Sequence, residues 1–259
     1  MSSCEQITTR LADGVLSIYF NRPDKKNALT GDMYTALCEA LEELDNNPKA
    51  QVGFITGTPD CFTAGNDLSD FLNNPPSTGQ EPPVFRFLKT LPKVAKPLVA
   101  AVNGPAVGIG TTLLLHCDLV YAARDAKLQL PFASLGACPE AGSALLLPQT
   151  MGYQKAAELL MLCDFFSGEQ GKELGLINEV FSAEDYQEKA YEQAKRIALQ
   201  PASSMRITKM LLKKSNEKAL AEIMDIEMEY FANMLRSPEA KEAITAFMEK
   251  RKPDFTQFN

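Results

Sequence analysis

Histidine is almost missing from this sequence. The 259 residues contain one, His116, and no tryptophan. A single imidazole argues against a metal site built on histidine, whereas the lack of tryptophan excludes nothing. The six cysteines (Cys4, Cys38, Cys61, Cys117, Cys138 and Cys163) are scattered, with no C-x-x-C pair. Free thiols in a reducing compartment fit that pattern. No uninterrupted apolar run is long enough to span a bilayer. The first residues carry no basic stretch leading into an apolar one, are not rich in arginine, and turn strand-like by Ile7. Neither a secretory signal nor a transit peptide is therefore expected. The final Thr256-Gln257-Phe258-Asn259 lacks the usual peroxisomal tripeptide. Together these absences lead to the expectation of a cytoplasmic protein, bacterial in origin. Positive charge is also in short supply. A net charge of -7 disfavours nucleic acid and anionic membrane as partners. It leaves room for a phosphate-bearing ligand, which responds to local lysines and helix N-termini.

What is present is ordinary for a globular chain, with 45% hydrophobic and 23% charged residues. That composition supports a sizeable core. Asp13-Gly14 is a strong hairpin-turn dipeptide, with strands expected at 7–11 and 15–20. A helix is expected from Thr30, with Met33, Leu37, Leu41 and Leu44 at helical spacing and Asp45-Asn46-Asn47-Pro48 ending it. Strands follow at 52–56, 97–102 and 119–123, with a helix over 108–117. Between them lies a long loop-rich stretch, 57–83, holding Asn73-Asn74-Pro75-Pro76-Ser77 and Glu81-Pro82-Pro83, of the kind that is usually functional or mobile. Alternating strands and helices up to residue 123 predict an α/β core with stacked sheets. From Ala141 onward the pattern reads as helical, notably at 156–162, 183–199 and 205–251, with an irregular connector at 168–181. Apolar stripes such as Met210, Leu211, Ile223 and Met224 suit packing and also a subunit interface. No disorder-like linker divides the chain. Residues 1–259 are read as one domain, an α/β core over 1–195 followed by a helical region over 196–259.

Two glycine-bearing loops could do chemistry. One is Phe62-Thr63-Ala64-Gly65-Asn66-Asp67-Leu68, after a strand. The other is Asn103-Gly104-Pro105-Ala106-Val107-Gly108-Ile109-Gly110, at a strand-to-helix junction. Glycine lets backbone N–H groups approach a ligand closely. Two such donors on one oxygen would form an oxyanion hole, each worth roughly 2.7–4 kcal/mol to a transition state. Singly, either loop is weak evidence, since glycines at such junctions more often serve tight turns than catalysis. Neither the G-x-G-x-x-G nor the G-x-x-x-x-G-K-[ST] pattern is satisfied.

Taken together, Asn21-Arg22-Pro23 with Lys26-Asn27-Ala28, the Ala64-Gly65-Asn66-Asp67 loop, Asn103-Gly104-Pro105-Ala106-Val107-Gly108 and Cys117-Asp118 resemble the crotonase superfamily in order and spacing. The resemblance runs from the first hairpin to the last helices. It implies a spiral of ββα turns with a C-terminal helical region that serves in oligomerisation and covers the active site. It also implies an acyl-CoA thioester substrate, with no cofactor beyond the coenzyme A of the substrate itself, and a homotrimer or a hexamer made as a dimer of trimers. Carried over by position, the oxyanion donors are the backbone N–H groups of Asn66 and Ile109. Around the first loop the resemblance sets Ala64, Gly65, Asp67 and Leu68 against the substrate, with Lys26 and Ala28 from the preceding segment. Gly108 joins them from the second loop. Phe132 and Leu135 are expected to line the acyl tunnel, whose depth depends on packing around 72–90.

The family's hydratases use two glutamates, at positions that Thr112 and Phe132 occupy here. Neither residue is an acid or base near neutral pH. A carboxylate appears instead in Gly136-Ala137-Cys138-Pro139-Glu140-Ala141-Gly142, which resembles the motif of Δ3-Δ2-enoyl-CoA isomerases of the peroxisomal type. The resemblance makes Glu140 the catalytic base and places the chain in fatty acid β-oxidation. One carboxylate suffices to move a double bond, by taking a proton from C2 and returning one to C4. The apolar neighbours of Glu140 predict a raised pKa. Position alone favours reading Glu140 as an acidic residue ahead of a helix N-terminus. Asp67 is expected to brace its loop, Asp118 to cap or turn, and His116 to pack within its helix. Lys25 and Lys26, and the run Lys250-Arg251-Lys252, suit either CoA phosphates or plain solvated surface. Two rival readings stand beside the isomerase: another crotonase reaction, such as hydration or dienoyl isomerisation, and a non-catalytic acyl-CoA-binding protein.

Overall fold

The structure, a computed structural model, describes residues 4–73 and 81–258. Residues 74–80 of the proline-rich stretch, within the 72–90 segment tied to tunnel depth, lie outside the described residues, as does Asn259. The chain opens as the expected hairpin. Strands β1 (Ile7–Ala12) and β2 (Val15–Phe20) pair antiparallel. Asp13 (φ 54°) and Gly14 (φ 75°) both take the left-handed conformation that a two-residue turn of matching twist requires. Helix α1 (Gly31–Asn46) starts where its cap does: the Thr30 side chain accepts from Met33 N–H, satisfying one of the orphan donors. Its Met33, Leu37, Leu41 and Leu44 are buried.

From there the chain winds as a spiral. Strands β3 (Val52–Thr56), β4 (Leu98–Val102) and β6 (Leu119–Ala123) extend β2 in parallel, and every residue of β3 and β4 is buried. After each passage through this sheet the chain adds a rung to a second, smaller one. Leu29 bridges Asn66, and Thr63 bridges Ala106. Ala106 belongs to β5 (Pro105–Val107), which pairs with β7 (Lys127–Gln129). Helices close the turns: α2 (Leu68–Asn73) and α3 (Pro83–Thr90) follow β3, and α4 (Ile109–Thr112) follows β5, continuing as a 3-10 turn over Leu113–His116. This is the mixed α/β spiral that the resemblance implied. The two glycine loops are its consecutive rungs.

The second half departs from the sequence reading. Helices α5 (Ser143–Met151) and α6 (Tyr153–Leu162) lead to strand β8 (Phe166–Ser167). The segment expected to be irregular, 168–181, holds helix α7 (Gly168–Glu173), opened by a Ser167–Gln170 capping box, and strand β9 (Glu179–Phe181), which pairs with β6 and completes the large sheet. Strands of two and three residues are too short to carry a period, so pairing partners, not local pattern, decide them. Helix α8 (Tyr186–Ala198) crosses position 195 and buries Tyr186, Ala190 and Ala194 against Val15, Phe54 and Val99 of the large sheet. The 205–251 stretch divides into α9 (Ala202–Lys214), α10 (Glu217–Met234) and α11 (Pro238–Met248), the last capped by Ser237. Met224 is buried, but Met210 and Leu211 on α9 are exposed. Among the described residues no helix is long and apolar enough to cross a membrane.

Candidate active site

Backbone hydrogen bonds stitch the two glycine loops together. Leu29 N–H donates to Gly65 O at 2.8 Å, and Asp67 N–H to Leu29 O at 2.9 Å. On the opposite edge Val107 N–H donates to Thr63 O and Thr63 N–H to Pro105 O, each at 3.0 Å. Gly65 has φ +90° and faces the Val107 carbonyl oxygen, which an added Cβ would meet at 2.7 Å. Only glycine allows that approach. Gly108 (φ +56°) turns the chain into α4, and its own N–H donates to Gln129 O at 2.9 Å. Within this mesh the N–H groups of Asn66 and Ile109 have no acceptor among the described residues. Asn66 lies on the first rung, and Ile109 opens α4 just after the second.

Side chains fix the first loop. Arg22 Nη1 donates to Asp67 Oδ2 at 2.7 Å and to Ala28 O at 2.8 Å. The other oxygen, Oδ1, accepts from Ser69 N–H at 3.0 Å and Asp70 N–H at 3.3 Å, opening α2. Partial burial pushes the Asp67 pKa up, but the bonds from Ser69, Arg22 and Asp70 outweigh it and hold the group below its usual value. With both oxygens engaged, Asp67 braces the loop. Tyr34, buried on α1, donates its hydroxyl to Asn66 Oδ1.

Glu140 is 2% exposed. It stands two residues ahead of Gly142, the N-cap of α5, yet its carboxylate does not cap that helix. Thr112 Oγ1 donates to Glu140 Oε1 at 2.5 Å. Loss of hydration on burial raises the Glu140 pKa to about 8, with the Thr112 bond pulling the other way and Glu227 adding to the rise. The helix-capping role belongs to Glu227 of α10, whose Oε2 accepts from Gly142 N–H at 2.6 Å and Oε1 from Ala144 N–H at 2.9 Å. Tyr34 feels the Glu140 charge as well; burial first, then that charge, lifts its pKa well above the usual value.

Other expected site residues are placed more loosely. Lys26 is exposed, with φ 48° and its carbonyl accepting Ala64 N–H at 2.9 Å. Ala28 and Leu68 are half-buried beside the same loop. Phe132 packs with Leu130, Ala137, Leu147, Ala156 and Phe231 in an apolar cluster. Leu135 lies in the 3-10 turn Ala133–Leu135. Asp118 Oδ2 accepts from Leu98 N–H and pairs with Lys209, both at 2.7 Å. Arg251 is occupied by Glu242 and Glu249. His116 does not simply pack within its helix: its Nε2 meets Ala141 O at 2.7 Å. A cavity of about 640 Å³ between the end of α3 and helices α9 and α10, edged by Lys93, Arg206 and Lys213, is lined by none of Asn66, Ile109 or Glu140. Tyr34 and Glu227 have no place in the sequence reading, which gives His116 only a packing role. His116, after the apolar run Leu113-Leu114-Leu115, gives a signal, since a buried polar group must find a partner, whereas Glu227 stands between Asp225 and Glu229 and gives none.

A family described as enoyl-CoA hydratase/isomerase matches residues 10–258. The chain belongs to that family. Among relatives, the 1,2-epoxyphenylacetyl-CoA isomerase of Escherichia coli (strain K12) is 34% identical over 97% of this chain and 98% of its own length. Enoyl-CoA delta isomerase 2 of Rattus norvegicus is 37% identical over 93% of this chain, which spans 62% of that longer protein. Hydratases stand among the relatives too. Of solved structures, OdaA of Pseudomonas aeruginosa is 47% identical over 95% of this chain and 99% of its own, with a TM-score of 0.91. The protein is thus a crotonase-family acyl-CoA enzyme, and the family's fold is the spiral described above.

Proposed function

We propose that the protein is a Δ3-Δ2-enoyl-CoA isomerase, with Glu140 as a single base that shuttles one proton. The observation that carries this reading is the buried Glu140 carboxyl group bonded to Thr112 of α4, the helix that Ile109 opens, with its pKa raised to about 8. The ionised Glu140 takes a proton from C2 of the 3-enoyl thioester. Negative charge moves onto the thioester oxygen, where the N–H groups of Asn66 and Ile109 stabilise the dienolate more than the neutral ground state. The double bond shifts to C2–C3, and the protonated Glu140 returns its proton to C4. No water enters and no proton is lost. A carboxylate out of water is a stronger base than one in solvent, which suits it to a weakly acidic carbon.

Hydration asks for a second carboxylate to orient water. Thr112 and the buried Phe132 stand at the two positions where the hydratases carry theirs, which favours isomerisation. Lys25 and Lys26, exposed on the segment stitched to the first glycine loop, suit the phosphates of coenzyme A. A homotrimer or a dimer of trimers is part of the same proposal. Ile207, Met210, Leu211 and Leu212 leave one side of α9 apolar and exposed, a surface that a second copy would cover. Light scattering reading a monomer would reject that part alone.

The test is to offer the purified protein a 3-enoyl-CoA and follow the conjugated 2-enoyl thioester by its ultraviolet absorbance. Wild type is expected to form it and Glu140→Gln to lose nearly all activity. Hydration of 2-enoyl-CoA without isomerisation, or binding without turnover, would overturn the reading.

A further inference from the structure

We propose that His116 and Glu227 are positioning residues that lock the corner carrying Glu140 onto the segment that supplies the Ile109 N–H group. The inference rests on the reading of Glu140 as the base. The corner is unusual in its backbone. Ala141 has φ +60° and Gly142 φ +71°, and a non-glycine residue there costs about 1 kcal/mol or more unless its surroundings hold it. Two buried side chains from distant parts of the chain do so. His116 reaches Ala141 O, and Glu227 takes Gly142 N–H and Ala144 N–H. Since a carbonyl oxygen only accepts, His116 must carry its proton on Nε2. Burial lowers the His116 pKa to about 4; the Ala141 contact opposes this, and Lys213 and Lys209 reinforce it. The imidazole stays neutral at working pH.

The placement of His116 gives the contact its function. Ile109 to His116 is one continuous helical piece, α4 followed by its 3-10 turn. Its first residue offers the free N–H, its fourth, Thr112, donates to the Glu140 carboxylate, and its last holds the carbonyl next to Glu140 in sequence. Oxygen donor and base are therefore referenced to the same short rod. Glu227 adds the second anchor from α10, so the C-terminal helices help set the base. An added Cβ at Gly142 would meet the Leu220 side chain of α10 at 2.3 Å, so α10 packs directly against the corner.

The experiment compares wild type with His116→Leu, which removes the donor, and His116→Gln, which offers an amide N–H in its place. His116→Leu is expected to lower kcat about tenfold to a hundredfold, as a displaced catalytic group does, with KM within about twofold. His116→Gln should keep most of the activity. A carbon-13 titration of the Glu140 side chain, identified by its absence from Glu140→Gln, reads the same event without turnover. The titratable groups near this carboxyl are Glu227, Tyr34 and Cys138. In His116→Leu the midpoint should fall from about 8 towards an ordinary carboxyl value as water reaches a loosened corner. Glu227→Asp, which keeps the charge but draws the carboxylate back from the Gly142 and Ala144 amides, should move it the same way and serves if His116→Leu does not fold. An unmoved midpoint together with unchanged kcat would overturn the proposal. A moved midpoint in a protein that isomerises no 3-enoyl-CoA would instead leave the positioning intact and sink the assigned reaction.

Discussion

Thr112 Oγ1 donates to Glu140 Oε1 at 2.5 Å, so the position that bears a carboxylate in the hydratases here serves a carboxylate from elsewhere. A hydroxyl donor favours the ionised form of its acceptor, and this bond lowers a pKa that burial has raised.

Removing that donor has a signed consequence. In Thr112→Val the Glu140 pKa should climb further, moving the acidic limb of the kcat/KM profile to higher pH. Each unit costs about tenfold in the ionised fraction below the pKa. Activity at pH 7 should fall by roughly that factor or more, and recover as pH rises. Thr112→Ser should behave as wild type. A pH–rate profile superimposable on wild type in Thr112→Val would reject the assignment.

Stability should also report the buried acid. Below its unfolded pKa Glu140 is protonated in both states and contributes nothing. As pH rises the unfolded chain ionises first while the folded one holds its proton. Wild type therefore loses stability between about pH 4.5 and its folded pKa of about 8, at up to about 1.4 kcal/mol per unit. Glu140→Gln escapes this loss. Its Tm advantage should grow from pH 5 to pH 8 in calorimetry, and a constant difference would contradict the burial argument.

Gly65 tests the oxyanion rungs with no change of charge. Gly65→Ala demands φ +90° of an alanine and sets its Cβ 2.7 Å from the Val107 oxygen. The rungs must separate, misplacing Asn66 N–H. Loss of one such donor costs roughly a hundredfold or more in kcat. Thermal scans should show a smaller change than kcat does. Full turnover in a folded Gly65→Ala would remove Asn66 from the proposed hole.

How much could be read beforehand depended on the reach of each interaction. The Asp13-Gly14 turn and the Thr30 cap act within three residues, and both were visible. The glycine loops were visible as pattern and ambiguous as chemistry until the family resemblance joined them. Strand β9 was hidden because its partner, β6, lies more than fifty residues earlier in the chain. The groups around Glu140 were hidden for the same reason. His116 meets a carbonyl 25 residues away, Tyr34 an amide 32 away, and Glu227 amides 83 and 85 away. A lone polar residue in an apolar run announces that a partner exists without saying which.

The two free N–H groups belong to main chain that the fold itself must form. Replacing the side chain of Asn66 or Ile109 leaves them in place, so under the proposed mechanism a lineage could relocate its acids while keeping the same oxygen-binding donors. Anion holding is then inherited with the architecture, and the reaction becomes the part left open to evolutionary experiment.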